Sequence, residues 1–248
     1  MPADWFLLAL VAAVFTFAGF VKGVIGLGLP TIATGMLGLW IAPVEAASIV
    51  VLPALLTNVW QMLAGGHLLA LLRRLWPMLG GVVVCTVATA GIVTRGNTRI
   101  TVALLGVALM TYALYALLAP RFHVAAARER LMGILAGAAT GLISGATGVF
   151  VVPTVPYLQA IDMTKDELVQ AIGITAFTSA AALAMGLGLH GSLDTRDAMP
   201  AILAVVTAMA GMRLGQVLRS KLSLDVFRRW VLIGLFGLGA SMVARLLT

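Results

Sequence analysis

Apolar positions run along this chain in long unbroken blocks rather than in the one-sided periodicity of a water-soluble helix or strand. Uncharged blocks cover 5–21, 23–44, 46–72, 75–94, 100–120, 131–161 and 168–193. Two further apolar stretches follow, 198–218 (interrupted by Arg213) and 230–244. A helix needs about 20 apolar residues to cross roughly 30 Å of hydrocarbon at 1.5 Å per residue. The blocks therefore predict eight full spans, near 5–22, 46–64, 75–94, 100–119, 131–148, 168–189, 198–218 and 229–247. Two apolar stretches, 29–41 and 149–160, remain too short to cross alone, and each follows a glycine-rich break. They read as short helices that either re-enter or cross with help from the broken segment before them. The expected fold is an all-α polytopic membrane protein.

Composition agrees with the pattern and removes the competing classes. Residues A, V, I, L, M, F, W, Y and C make up 61% of the chain and charged residues only 10%, against about 25% charged in an ordinary soluble domain. A soluble domain of this size must cover its outside with polar groups and has too few of them here. That excludes a cytoplasmic enzyme, a secreted disulfide scaffold and a disordered chain. The lone cysteine, Cys85, leaves no intramolecular disulfide and no multi-cysteine metal site. The net charge of +7 does not point to nucleic acid, because the basic residues sit between apolar blocks, as in cytoplasmic membrane loops. Met-Pro-Ala-Asp at the start has no basic region, so Trp5 to Val21 is read as a span and not as a cleaved leader.

The chain also repeats itself. Gly19-Phe-Val-Lys-Gly23-Val-Ile-Gly26 returns as Gly141-Leu-Ile-Ser-Gly145-Ala-Thr-Gly148, and a proline follows each break, Pro30 and Pro153. Glu45 aligns with Glu167, His67 with His190, Arg73 with Arg196 and Pro77 with Pro200 in nearly the same register. Rare residues in one register argue for duplication, with halves at 1–122 and 123–248. If each half crosses four times, the basic residues split 7 to 9 between the two sides. If the short segments also cross, each half crosses five times, the halves are inverted, and the split is 12 to 4. Lys22, Arg73, Arg74, Arg121, Arg128, Arg130, Lys165, Arg213, Arg219, Lys221, Arg228 and Arg229 then face one side, and Arg95, Arg99, Arg196 and Arg245 the other. The positive-inside rule favours the lopsided arrangement. It predicts inverted repeats, cytoplasmic loops near 73, 128 and 221, and both termini outside.

The breaks carry the candidate chemistry. Unpaired backbone groups in hydrocarbon cost several kcal/mol each, so a broken helix survives only where it lines protein or water. Glycines let the backbone turn and approach a ligand. A helix that starts near Pro30 directs its free N–H groups and positive dipole end at the break, which suits an anion. The stretch Val149 to Pro153 repeats the arrangement. Gly26, Gly28 and Gly148 are therefore candidates for substrate contact, with hydroxyls from Thr31, Thr34, Ser144, Thr147 and Thr154. Gly19, Gly23, Gly141 and Gly145 also fit small-residue helix packing. Lys22 is the only lysine embedded in apolar sequence. It reads either as a cation that attracts the substrate or as a side chain snorkelling to the interface. Asn58 and Gln61 share one helix face, matched in the second half by Thr175, Thr178 and Ser179, either lining a cavity or joining helices. Gly186-Leu-Gly188-Leu-His-Gly191 matches a dinucleotide pattern but ends a span with no βαβ unit around it. Phosphate loops, metal-ligand clusters and hydrolase constellations are absent from the sequence, so no enzyme is expected, and no cofactor.

The spacing Gly19-x-x-x-Gly23-x-x-Gly26-x-Gly28, echoed at Gly141-x-x-x-Gly145-x-x-Gly148 in a short apolar duplicated chain, resembles the sulfite exporter TauE/SafE family, also called the toluenesulfonate uptake permease group. The resemblance covers essentially the whole chain. It implies a multi-pass permease of a bacterial-type plasma membrane for a small anion such as sulfite, an organosulfonate or a related carboxylate. The second motif departs from the pattern, with Phe150 where Gly28 stands in the first. Expected partners are the anion and the lipid bilayer, with a homodimer and the coupling ion, H⁺ or Na⁺, left open. A passive anion channel and a non-transporting membrane scaffold are the alternative readings.

Overall fold

The structure, a computed structural model, describes residues 5–63, 66–95, 97–118, 123–192 and 198–247. Among them lie ten α-helices and no strand. In chain order these are α1 (Trp5–Ile25), α2 (Leu29–Leu37), α3 (Pro43–Leu63), α4 (Leu68–Arg95), α5 (Thr98–Leu118), α6 (Ala126–Thr147), α7 (Thr154–Ala160), α8 (Lys165–Leu189), α9 (Ala198–Leu218) and α10 (Leu224–Leu247). Seven of them, α1, α3, α4, α5, α8, α9 and α10, are long and apolar enough to cross a membrane. The eighth predicted span coincides with α6, which has 22 residues. Its glycines, threonines and Ser144, together with Arg128, Glu129 and Arg130 near its start, dilute the hydropathy that length alone would supply. Predicted boundaries that reach residues 64 and 119, and the basic residues Arg121 and Arg196, lie outside the described residues.

The two short stretches are helical over less of their length than predicted. α2 occupies nine residues of 29–41, and α7 only seven of 149–160. Residues 149–151 are not helical and a turn precedes Thr154. The sequence reason is visible at the first break: α1 stops at Gly26, whose N–H still donates to the Lys22 carbonyl at 2.7 Å, and Gly28 caps α2 with φ of 101°. An L-residue rarely adopts that conformation. At the second break only Gly148 has positive φ. Phe150 occupies the place of Gly28, and several residues pass before a helix resumes.

The most extensive helix pairs are α4 with α6, α1 with α9, α5 with α10 and α3 with α8. Small residues set the first two. A methyl group at Gly19 would land on the Ala208 carbonyl oxygen, and one at Gly23 on that of Met212. On the other pair a Cβ at Gly141 would lie 2.7 Å from both the Cys85 Cβ and the Val82 oxygen, and one at Gly145 would strike Thr86 and Thr89. Helix backbones that approach this closely gain dispersion contacts along their whole length, the main attraction left when lipid removes the hydrophobic drive between helices. The largest buried cluster includes Phe15 and Val14 of α1, Leu29 and Ile32 of α2, Leu105 and Leu109 of α5, and Ala208 of α9. A second gathers Leu71, Leu75 and Met78 of α4 with Tyr157 and Leu158 of α7 and Ile174 of α8. Both short helices are thus held inside the bundle, where their broken flanks face protein.

Candidate functional site

Lys22 stands in the last turn of α1, because the helix runs three residues past the predicted end. Its side chain is buried, with 5% exposure, and does not snorkel. The ammonium crosses to α3 and donates to Thr57 Oγ1 at 3.1 Å and to Asn58 Oδ1. The Thr57 hydroxyl itself donates to the Pro53 carbonyl at 2.7 Å, which leaves its oxygen free to accept from the lysine. Both lysine partners are neutral oxygens.

Around this ammonium lies a cavity walled by both breaks. Gly28, Pro30 and Thr31 line it from the first, and Phe150, Val151 and Thr154 from the second. Lys22, Asn58, Gln61 and Thr175 add polar lining, and Leu27, Val155, Ile172 and Ala176 are apolar. Two polar groups in the wall have no hydrogen-bond partner among the described residues although fully buried: Thr31 Oγ1 and Asn58 Nδ2. Such groups are normally satisfied, since burying a polar atom unpaired costs free energy. Asn58 is oriented by the lysine, which claims its carbonyl side and leaves the two-donor amide nitrogen unused. Thr154 is tied to Thr140 of α6 at 2.6 Å, and Gln61 Nε2 donates to the Val169 carbonyl of α8 at 3.1 Å. The cavity measures about 20 Å³, room for a water or two.

The cavity therefore brings together Lys22, Gly28, Thr31, Asn58, Gln61, Thr154 and Thr175 from the sequence candidates. Gly26, Ser144, Thr147, Gly148, Thr178 and Ser179 stand outside its lining. Gly26 has open space where a Cβ would sit, while Gly148 faces Thr34, whose Oγ1 would be 3.6 Å from such an atom. Thr147 is occupied locally, donating to the Ile143 carbonyl and accepting from the Val149 N–H. Ser144 and Ser179 are fully buried hydroxyls without partners among the described residues. Sequence reasoning misses Phe150, Val151, Val155 and Ile172 as lining residues. Only the register of the second break points at the first two of these. Among the described residues no group of His, Cys, Asp and Glu is placed to hold a metal ion.

A bundle of membrane-spanning helices with two interrupted segments converging on a buried lysine defines a multi-pass membrane protein of the transporter class. The chain belongs to the sulfite exporter TauE/SafE family, whose model matches residues 11–242. No curated protein and no solved structure matches the chain. The family is one of membrane transporters of the sulfite exporter type.

Proposed function

We propose that this protein is a secondary permease for a small anion, a sulfur-containing acid such as sulfite or an organosulfonate, or a related carboxylate, held in the Lys22 cavity. One observation carries the reading: a buried ammonium with only neutral partners shares a cavity with two unsatisfied polar groups, at the point where both breaks meet. A buried charge is costly unless it is paired, and a bound anion supplies the missing charge. Asn58 Nδ2 and the Thr31 hydroxyl are the donors that orient it, and the start of α2 adds the positive end of its dipole. Leu27, Phe150 and Val155 give an apolar wall for the part of the substrate that carries no charge. The cavity is smaller than any such anion, so loading requires the helices around it to part, as alternating access demands. Transport of sulfite and of short alkyl sulfonates into proteoliposomes tests this. Saturable uptake with counterflow supports a permease; flux that is linear in substrate and shows no counterflow makes the protein a channel, and no flux of any tested anion overturns the reading.

The same proposal includes inverted halves, 1–122 and 123–248, with the eight long spans joined by the two short segments to give ten crossings of a bacterial-type plasma membrane. Its support is the 12 to 4 charge split and the exchange of pairing between halves, α1 with α9 and α6 with α4. Reporter fusions at Arg73, Arg128 and Lys221 are expected to read as cytoplasmic, and fusions at Asn97 and the C-terminus as external. Cytoplasmic readings at both termini overturn the inversion.

A further inference from the structure

We propose that a second cavity, between the start of α4 and the start of α6, binds the phosphate headgroup of an anionic phospholipid. It is separate from the Lys22 cavity, and the assignment stands without the transport reading. Its walls include Arg73, Arg74 and Trp76 of α4, Glu129 and Arg130 of α6, and Tyr157 of α7. Arg74 is committed internally: Nε and Nη2 donate to the two Glu129 carboxylate oxygens at 2.6 and 2.8 Å, and Nη1 to the Asp162 carbonyl at 2.9 Å. The Tyr157 hydroxyl donates to the Glu129 carbonyl at 3.0 Å and fixes the same corner. This frame uses the carboxylate of the lining and leaves two arginines over. Arg73 is exposed, and the Arg130 guanidinium lies 5.3 Å from the centre of the Trp76 ring.

The surroundings favour a lipid over a free oxyanion. Trp76 is 59% exposed, and an exposed tryptophan beside arginines is the signature of headgroup depth. One and two turns further along the same face of α4 come Gly80 and Val84. A Cβ at Gly80 would meet nothing within 4 Å, and Val84 is 68% exposed. That face gives an acyl chain a shallow track that starts at the charged cavity. Basic pockets between membrane helices are suited to anionic headgroups, and each Arg near an anionic surface contributes roughly a fivefold preference.

Native mass spectrometry of the purified full chain with phosphatidylglycerol and phosphatidylcholine of equal chain length tests the assignment. The wild type is expected to retain phosphatidylglycerol preferentially, and the Arg73→Gln/Arg130→Gln variant to lose about tenfold or more of that preference, with phosphatidylcholine retention unchanged. Equal retention of the two lipids by the wild type, or a preference that survives the double substitution, overturns the proposal. Millimolar inorganic phosphate that displaces phosphatidylglycerol makes this a free-oxyanion site and overturns the lipid assignment. Should the double variant aggregate, brominated phosphatidylglycerol is used on the wild type and on Trp76→Phe. Quenching is expected to fall in Trp76→Phe, and an equal degree in both overturns the proposal.

Discussion

Lys22→Met is expected to abolish or nearly abolish anion transport while the protein still folds. Methionine keeps the length and flexibility of the stem and removes the ammonium, so the space between α1 and α3 stays filled. The anion then loses a charge-assisted hydrogen bond of about 1.5–3 kcal/mol, roughly ten- to a hundredfold in affinity. Asn58 Oδ1 also loses its donor, and the amide is free to turn. Because the ammonium is buried, raising ionic strength restores little of the loss, since salt screens interior pairs much less than surface ones. A lysine at the membrane interface would predict a salt-sensitive loss or none. Binding of a sulfonate to detergent-purified protein, at low and high salt, separates the two. Affinity equal to wild type removes Lys22 from the site.

The second large effect is on stability. Gly19→Val and Gly141→Val are each expected to destabilise the bundle, because the added atoms meet backbone that has nowhere to retreat, the Ala208 carbonyl for one and the Val82 carbonyl for the other. Overpacking costs about 1–3 kcal/mol even where side chains can shift, and here helix α1 or α6 must move off its partner. Thermal unfolding in detergent should fall by several degrees for each. Gly234→Ala and Gly237→Ala are the controls. Neither position has an atom within 4 Å of a new Cβ, and alanine improves helix propensity by up to about 1 kcal/mol, so these should hold or raise the melting temperature. If valine at 19 and 141 proves as mild as alanine at 234 and 237, close packing at the glycine motifs is not what holds the pairs together.

Much of this architecture is legible in the amino-acid sequence. Long apolar blocks give helices because lipid leaves backbone groups no other way to be satisfied. The glycine motifs mark both the close packing and the interruptions. Lys22 and Asn58 stand out because a polar residue in an apolar block is conspicuous. The rest is hidden for the same physical reason. In a membrane protein the outside is as apolar as the inside, so Phe150, Val155 and Ile172, which wall the cavity, look like Trp60 or Leu114, which are exposed on the outer surface of the bundle. Nor does sequence distinguish Ser144, buried outside the lining, from Thr31, buried within it. The late start of α7 escapes a reading of hydropathy because Val149, Phe150 and Val151 are apolar enough to continue a helix. Gly148 alone, without a counterpart to Gly28, does not bring the chain back into helix at once.

The pairing of α1 with α9 and of α4 with α6 bears on how the chain is made. Helix α1 is synthesised first, but the surface that matches Gly19 and Gly23 is supplied by Ala208, Met212 and Gly215 of α9, nearly two hundred residues later. At ordinary translation speeds of about 5–20 residues per second, α1 waits in the membrane for roughly ten seconds or more with its glycine face uncovered. Contacts between α4 and α6 close across a much shorter stretch of chain. Assembly is thus expected to begin around α4, α6 and α7 and to finish when α9 arrives to clasp α1 and α10 follows to pair with α5. A nascent chain stalled before α9 would hold the second glycine motif in place and leave the first unmatched, an exposed small-residue face of the kind that quality-control proteases and insertion chaperones in the membrane are placed to find.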